Sequence, residues 1–319
     1  MHWLVLFLIL ILRMEADEPL LSQIEQLTFA SMGFEKAGEA YFSPDARTVL
    51  FQAVPQGKRY YQIYSMDLET RIPKLVSTGK GACTCAYFRP DGNKIIFASS
   101  HESSELLDDT PLNQVGRYVW DLVPYMNIYE ANPDGTQLVA LTSGSAYHAE
   151  CAYSPDGSQI VYASNESGSM NLYIMHADGS HVRQLTHTNH CYNGGPFFSP
   201  DGQQIIFRAD RETPHHLQLF ITDGIEEQQL TFDEAINWAP FWHPSGEWIA
   251  YTTSIHGHHN YEIYLLHVAT GKTHRITDHA GFDGLPVFSP DGSKLMWTSK
   301  RADGACHLFI AHFRLPEGV

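Results

Sequence analysis

A tetrapeptide of the form Ser-Pro-Asp-Gly, or a close variant of it, occurs six times along the chain. The copies are Ser43-Pro44-Asp45-Ala46, Arg89-Pro90-Asp91-Gly92, Ser154-Pro155-Asp156-Gly157, Ser199-Pro200-Asp201-Gly202, His243-Pro244-Ser245-Gly246 and Ser289-Pro290-Asp291-Gly292. The prolines stand at 44, 90, 155, 200, 244 and 290. A unit of about 45 residues therefore recurs, and the second unit carries roughly 20 extra residues. In each copy the proline presets φ; the Asp, present in five, organises the turn, and the Gly, present in five, takes positive φ.

Each turn sits in one local pattern. Aromatic pairs such as Tyr41-Phe42, Tyr87-Phe88, Phe197-Phe198 and Phe241-Trp242 precede it, and a β-branched, apolar run such as Thr48–Phe51 or Gln204–Phe207 follows. A third run contains an Ile/Leu-Tyr/Phe step, and a fourth, short run ends in Ser or Thr, as in Leu185-Thr186 and Leu230-Thr231. Alternating runs of this length between turn residues are strands. Four strands in each of six units predict an all-β fold, a six-bladed β-propeller of four-stranded blades, over residues 24–314. The sixth unit lacks a fourth run, whereas Gln26-Leu27-Thr28 matches Gln184-Leu185-Thr186 and Gln229-Leu230-Thr231. The last blade is therefore expected to be closed by the N-terminal strand.

The repeat arithmetic turns 319 residues into one ring rather than two domains. Charged residues are 18% of the chain, and 16 Tyr, 17 Phe and 6 Trp fill part of the gap, a composition suited to strands. With 20 basic against 36 acidic residues the net charge is −16, which argues against nucleic acid as a partner. Trp3–Leu12 is an apolar run too short to span a bilayer and fits the core of a secretory signal ending at Ala16. No Lys or Arg precedes the run and the bulky Met14 lies two residues before Ala16, so an uncleaved anchor is the alternative. With residues 1–16 as a signal peptide, the expected location is periplasmic or secreted, with no integral membrane span. Cys83, Cys85, Cys151, Cys191 and Cys306 are odd in number and irregular in spacing, which favours free thiols over a disulfide framework and leaves one disulfide open.

The SPDG-type turns, the Ile-Tyr-x-Met-Asp third strand at Ile63–Asp67 and the Gln-Leu-Thr fourth strand resemble the PD40, or TolB-like, β-propeller repeats (a WD40-like repeat), and the resemblance covers nearly the whole repeat region. It implies the propeller fold. The TolB component of the bacterial Tol system is a periplasmic propeller that holds peptide segments of partner proteins at its central channel. Its additional N-terminal α/β domain is not expected in the short stretch between Ala16 and the first repeat strand.

In such a ring the loops entering the innermost strands cluster around the channel mouth, and the SPDG turns lie on the opposite face. Counting back seven residues from each repeat proline gives, in units three to six, His148, Asn193, Asn237 and Asp283. Counting back five gives Glu39, Cys85, Glu150, Gly195, Ala239 and Leu285. Glu39, His148, Glu150, Asn193, Asn237 and Asp283 are thus the candidate channel-mouth set, with Arg208 and Arg211 from the next strand and its loop. Polar groups converging on a concave centre are the default binding-site hypothesis, set against a water-filled channel lining. The insertion at about 102–123 carries Asp108, Asp109, Arg117, Tyr118, Trp120 and Asp121 and is a candidate lid or partner-binding arm.

Catalytic motifs are sparse. Gly271-Lys272-Thr273 lacks the upstream glycine of a phosphate loop, and neither G-x-S-x-G nor H-E-x-x-H occurs. Prolyl-peptidase-type enzymes join a similar propeller to an α/β-hydrolase domain, and that reading is not expected here. His256, His258 and His148 are weak metal candidates, because one flexible loop does not define coordination. Oligogalacturonate lyases, which resemble this repeat family, hold manganese with histidines on seven blades. The sequence thus indicates no cofactor except, as an open alternative, a divalent metal. The expectation is an exported, non-enzymatic, monomeric propeller that binds a protein or peptide partner, basic or metal-bridged, at its channel-mouth face. The alternative is a metal-assisted lyase or hydrolase acting on an acidic glycan, for which Arg208, Arg211, Lys300 and Arg301 are the available cations.

Overall fold

The computed structural model describes residues 18–103 and 122–317, and its strands form six four-stranded antiparallel sheets. The chain enters through β1 (Leu21–Gln26). Blade one follows as β2 (Phe34–Phe42), β3 (Thr48–Pro55), β4 (Gln62–Asp67) and β5 (Pro73–Leu75), and blade two as β6 (Cys83–Phe88), β7 (Ile95–Ser99), β8 (Asn127–Ala131) and β9 (Val139–Ala140). Blade three comprises β10 (His148–Tyr153), β11 (Gln159–Ser164), β12 (Asn171–His176) and β13 (Arg183–Gln184). Blade four comprises β14 (Asn193–Phe198), β15 (Ile205–Ala209), β16 (Gln218–Thr222) and β17 (Glu227–Gln229). Blade five is β18 (Asn237–Trp242), β19 (Trp248–Thr253), β20 (Glu262–His267) and β21 (Thr273–Arg275), and blade six is β22 (Asp283–Phe288), β23 (Lys294–Ser299) and β24 (His307–Phe313). The fourth strand of blade six is β1, which pairs with β24, so the ring is closed by its N-terminal strand. The candidate signal at 1–16 and most of the insertion, residues 104–121, lie outside the described residues.

Side-chain chemistry explains why the repeat reads as it does. In four of the six turns the first Ser hydroxyl donates to the Asp carboxylate at 2.6 Å, in the pairs Ser43–Asp45, Ser154–Asp156, Ser199–Asp201 and Ser289–Asp291. The same Ser oxygen accepts the N–H five residues on, as in Gln204 N to Ser199 Oγ at 2.9 Å. In the variant copy, His243 takes over the role and meets Ser245 Oγ at 3.0 Å. The terminal Ser or Thr of the fourth strand has an equally fixed task, because its hydroxyl accepts the second N–H of the third strand in every blade. The acceptors are Ser77, Thr142, Thr186, Thr231 and Thr277 for Ile63, Ile128, Leu172, Leu219 and Ile263. In blade six the acceptor for Leu308 N is Thr28, at 2.9 Å, so the N-terminal segment reproduces the motif across the junction.

The core lies between blades. Trp248 of blade five packs with Phe288, Trp297 and Phe309 of blade six, and Phe34, Phe51 and Met66 of blade one pack with Met296 and Leu308 of blade six. At the axis the first aromatic of each pair before the turn points inward. Tyr41 touches Tyr87, Phe197 and Phe241 at centroid separations of 5.1, 5.7 and 6.1 Å, and Phe197 meets Phe241 at 5.1 Å. Blades one and four face each other across a six-bladed ring. Contact between Tyr41 and Phe197 therefore closes the channel at that level.

Candidate functional site

Every innermost strand is interrupted at one shared position, and β2 a second time between Phe34 and Lys36. Between first and second strands the pairing skips a residue at Gly38/Ala40, Thr84/Tyr87, Ala149/Ala152, Gly194/Phe197, Trp238/Phe241 and Gly284/Val287. The residue at the head of each bulge has left-handed φ: Glu39 43°, Cys85 56°, Glu150 56°, Gly195 57°, Ala239 49° and Leu285 58°. Bulges re-aim side chains. Here six of them turn one residue per blade toward the axis, and these are the residues five before the repeat prolines. A left-handed non-glycine residue costs about 1–2 kcal/mol, so five such residues in one ring represent local strain concentrated at one place.

Neighbouring blades satisfy four of the bulge N–H groups. Glu39 N donates to Thr298 Oγ1 at 3.0 Å, Cys85 N to Gln52 Oε1 at 3.2 Å and Leu285 N to Thr252 Oγ1 at 3.0 Å. Thr298, Gln52 and Thr252 hold the same register position on their second strands, where blade three has Ala163 and blade four Arg208. Ala163 cannot accept, and Glu150 takes the Gly195 N–H instead.

Arg208 points into the recess. Its Nη2 lies 3.1 Å from Glu150 Oε2 and donates to Tyr192 Oη at 2.9 Å, while the Tyr192 hydroxyl reaches Glu150 Oε1 at 2.7 Å. Burial holds the Tyr192 phenol well above its ordinary value, so it remains a neutral hydroxyl donor. The absent side chain of Gly195 makes this triad possible, because a Cβ there would sit 1.8 Å from Arg208 Nη1.

Glu39 is 8% exposed, and no ion pair involves it among the described residues. Tyr41 donates to its Oε1 at 3.2 Å. Burial pushes its carboxyl up to about 7, with Glu150 adding to that effect and the Cys85 thiol, Arg208 and Tyr41 opposing it. Below these groups the channel ends on Tyr41, Phe197, Phe241 and Val287, and Trp238 and Pro240 form part of the wall. The cavity is about 40 Å³, room for about three waters. Among the described residues the site is a blind cup with two carboxylates, one guanidinium and an aromatic floor.

An unfolded glutamate titrates near its ordinary 4.5, and folded Glu39 near 7. Between those values the folded state holds a proton that the unfolded state has lost, so stability contributed here falls as pH rises through the window. Glu39→Gln is expected to be more stable than wild type at pH 8 by on the order of 2–3 kcal/mol, with the difference vanishing below pH 4.5. Glu262, also buried and raised to about 7, keeps its share of the slope in both proteins. Urea unfolding at both pH values measures it, and parallel pH dependence of the two proteins would contradict the assignment.

Of the candidates named from the sequence, Glu39, Glu150 and Arg208 meet in the cup. The residues seven before the prolines do not join them, because the bulge breaks the alternation that would have placed both sets on one face. Asn193 donates to Met170 O and Thr188 Oγ1, and Asn237 to Gln218 Oε1 and Asp233 Oδ1, joining neighbouring blades. Asp283 is fully buried, paired with Arg301 and accepting from Trp297 Nε1. His148 is buried against Tyr162, and its charged form is disfavoured by that burial. Arg211 bonds to Asn193 and Glu227 and lies over the rings of Phe207 and Phe220. His256 and His258 are exposed and meet the hydroxyls of Tyr264 and Tyr261. Among the described residues no group of three His, Cys, Asp or Glu side chains is placed to hold a metal ion.

The sequence reading missed Tyr192, Trp238 and the inward turn of Tyr41, Phe197 and Phe241; the aromatic pairs were the available signal. All five cysteines are free, and burial pushes the thiols of Cys85 and Cys151, which line the cup, above their ordinary value, so they are poor nucleophiles.

The fold and cup define a six-bladed β-propeller with a closed-ended central recess. Residues 124–235 and 225–314 match the TolB beta propeller domain family, PD40, and the chain belongs to that family. A TolB homolog from Chlorobium chlorochromatii is 30% identical over 145 residues, 46% of this chain and 32% of that protein. The match thus spans about a third of that relative's length. Among solved structures, TolB from Acinetobacter baumannii aligns with a TM-score of 0.61 at 18% identity, covering 89% of this chain and 66% of that one. An oligogalacturonate lyase from Vibrio parahaemolyticus aligns with a TM-score of 0.60 at 15% identity, covering 88% and 78%. At these identities the structural likeness carries the fold alone. Among the described residues no helix is long and apolar enough to cross a membrane.

Proposed function

We propose that this protein is an exported binding module that receives a segment of a protein or peptide partner at its channel mouth. The observation that carries this reading is the cup itself. A channel stopped by Tyr41 and Phe197 from opposite blades is suited to receiving the end of a group rather than to passing a chain. The strained bulges and the buried Glu39 hold polar groups at its wall at a cost in stability, a cost that function accounts for better than packing does. TolB-like relatives support the reading as analogues, one of them carrying the name of a Tol-Pal system protein. The apolar leader at Trp3–Leu12 supports export. A lyase or hydrolase reading is less favoured, since its structural neighbours share only the fold and no histidine among the described residues lines the cup.

The test is to pan a displayed random-peptide library on the full chain, then to measure the selected peptides against Leu285→Trp, which fills the cup. A loss of at least tenfold in affinity is expected. Failure to recover binders, or peptides held equally by the filled cup, would contradict the proposal.

A further inference from the structure

The described side chains leave the cup with one more carboxylate than cation. Arg208 is committed to Glu150 and to Tyr192, and among the described residues no ion pair reaches Glu39. A carboxylate more than nine-tenths buried, aimed into a cavity and met only by neutral donors, lacks the partner that buried charges normally have.

We propose that the cup takes a single primary ammonium group, from a lysine side chain or a free amino terminus, as the counter-charge of Glu39. This rests on the reading of the cup as a receptor and names what that receptor recognises. A cavity of about 40 Å³ has room for a compact head group with three N–H donors, whereas the planar, five-donor guanidinium is larger and is already represented by Arg208. Trp238 at the wall offers an apolar surface for the methylene stem behind the charge.

The groups facing Glu39 are Tyr41 on its own strand β2, Cys85 on β6, Glu150 and Cys151 on β10, and Arg208 on β15. Burial holds the two thiols and Tyr41 neutral across the physiological range, and Arg208 keeps its charge. Glu39, held near 7 chiefly by burial, is the member that changes charge around neutrality. An ammonium group entering the cup favours its ionised form, so binding releases a proton at pH 7 and tightens as pH rises.

The experiment titrates the full chain, in buffer with a chelator, with N-acetyl-lysine methylamide and its uncharged isostere N-acetyl-norleucine methylamide. Glycylglycinamide and its N-acetylated form make up the second arm, and the Trp238 indole resonance, assigned with Trp238→Phe, is the readout. Saturable binding of one charged probe and not of its neutral counterpart is expected, and which probe binds tells lysine from an amino terminus. The lysine probe, charged throughout, should bind about tenfold tighter at pH 8 than at pH 6. Glu39→Gln should lose at least tenfold in affinity at pH 8 and show no pH dependence; Glu39→Asp should recover part of the loss. Equal binding of charged and neutral probes, or affinity unchanged by pH and by Glu39→Gln, overturns the proposal. If selected peptides still need an open cup while neither ammonium probe binds, the receptor reading stands and this assignment falls.

Discussion

Replacing Arg208 by methionine is expected to destabilise the propeller by about 3–5 kcal/mol, the usual cost of leaving one member of a buried ion pair alone. The side chains of Arg208 and Glu150 are 11% and 4% exposed, so the few waters the cup has room for replace the lost ion pair poorly. Glu150 would keep the Tyr192 hydroxyl and the Gly195 N–H and lose its only ion pair among the described residues. Adding Glu150→Gln to Arg208→Met should return much of the loss, because the stranded charge disappears. A double-mutant cycle by urea unfolding measures this, and a loss below 1 kcal/mol for Arg208→Met would show that the triad is loosely held.

The second large effect concerns closure of the ring. A chain beginning at Phe29 loses β1 and with it the Leu27 N–H to Leu308 O bond at 2.7 Å and the Thr28 acceptor for Leu308 N. It also loses Glu18, which bonds to Arg301 at 3.0 Å and accepts the Asp278 N–H at 3.0 Å. Burial of Leu27, 1% exposed, contributes about 1.5–3 kcal/mol and each lost hydrogen bond about 1 kcal/mol. The sum is of order 5 kcal/mol or more, comparable to the whole stability of many domains. The truncated chain is expected to melt at least 10 °C lower or to lose its cooperative transition, and a synthetic peptide of residues 18–28 added in trans should restore it. An unchanged melting curve would mean that blade six holds without its fourth strand.

Much of this architecture is written in the chain because the repeat uses side chains to make its turns. Ser199, Asp201 and the N–H of Gln204 form a self-contained hub, and Thr186 serves its own blade, so local spacing suffices to find them. Thr28 fits that series, which is why the closure of the ring is legible in the chain. The site was legible only in part, for a geometric reason. Counting back from the prolines lists the correct positions, but strand alternation places Asn193 and Gly195 on one face, and the bulge that separates them leaves no mark in composition: Glu, Cys, Gly, Ala and Leu all occupy it. Tyr192 is invisible for another reason. It comes from a connecting loop and reaches Glu150 only because Gly194 and Gly195 leave room, since a Cβ at Gly194 would lie 2.2 Å from the Tyr192 oxygen. The commitment of Arg301 to Asp283 and Glu18 likewise depends on a contact across most of the chain.

The claim on which the rest depends is that partners are held inside the cup. Backbone and indole chemical-shift mapping of the isotope-labelled protein, titrated with a peptide selected on the full chain, tests it most directly. Saturating shifts are predicted at Trp238, Ala239, Gly195 and Leu285 and at the floor residues Phe197 and Phe241. Shifts confined to the outer strands or to the Ser-Pro-Asp-Gly turns, with the cup silent, would contradict it.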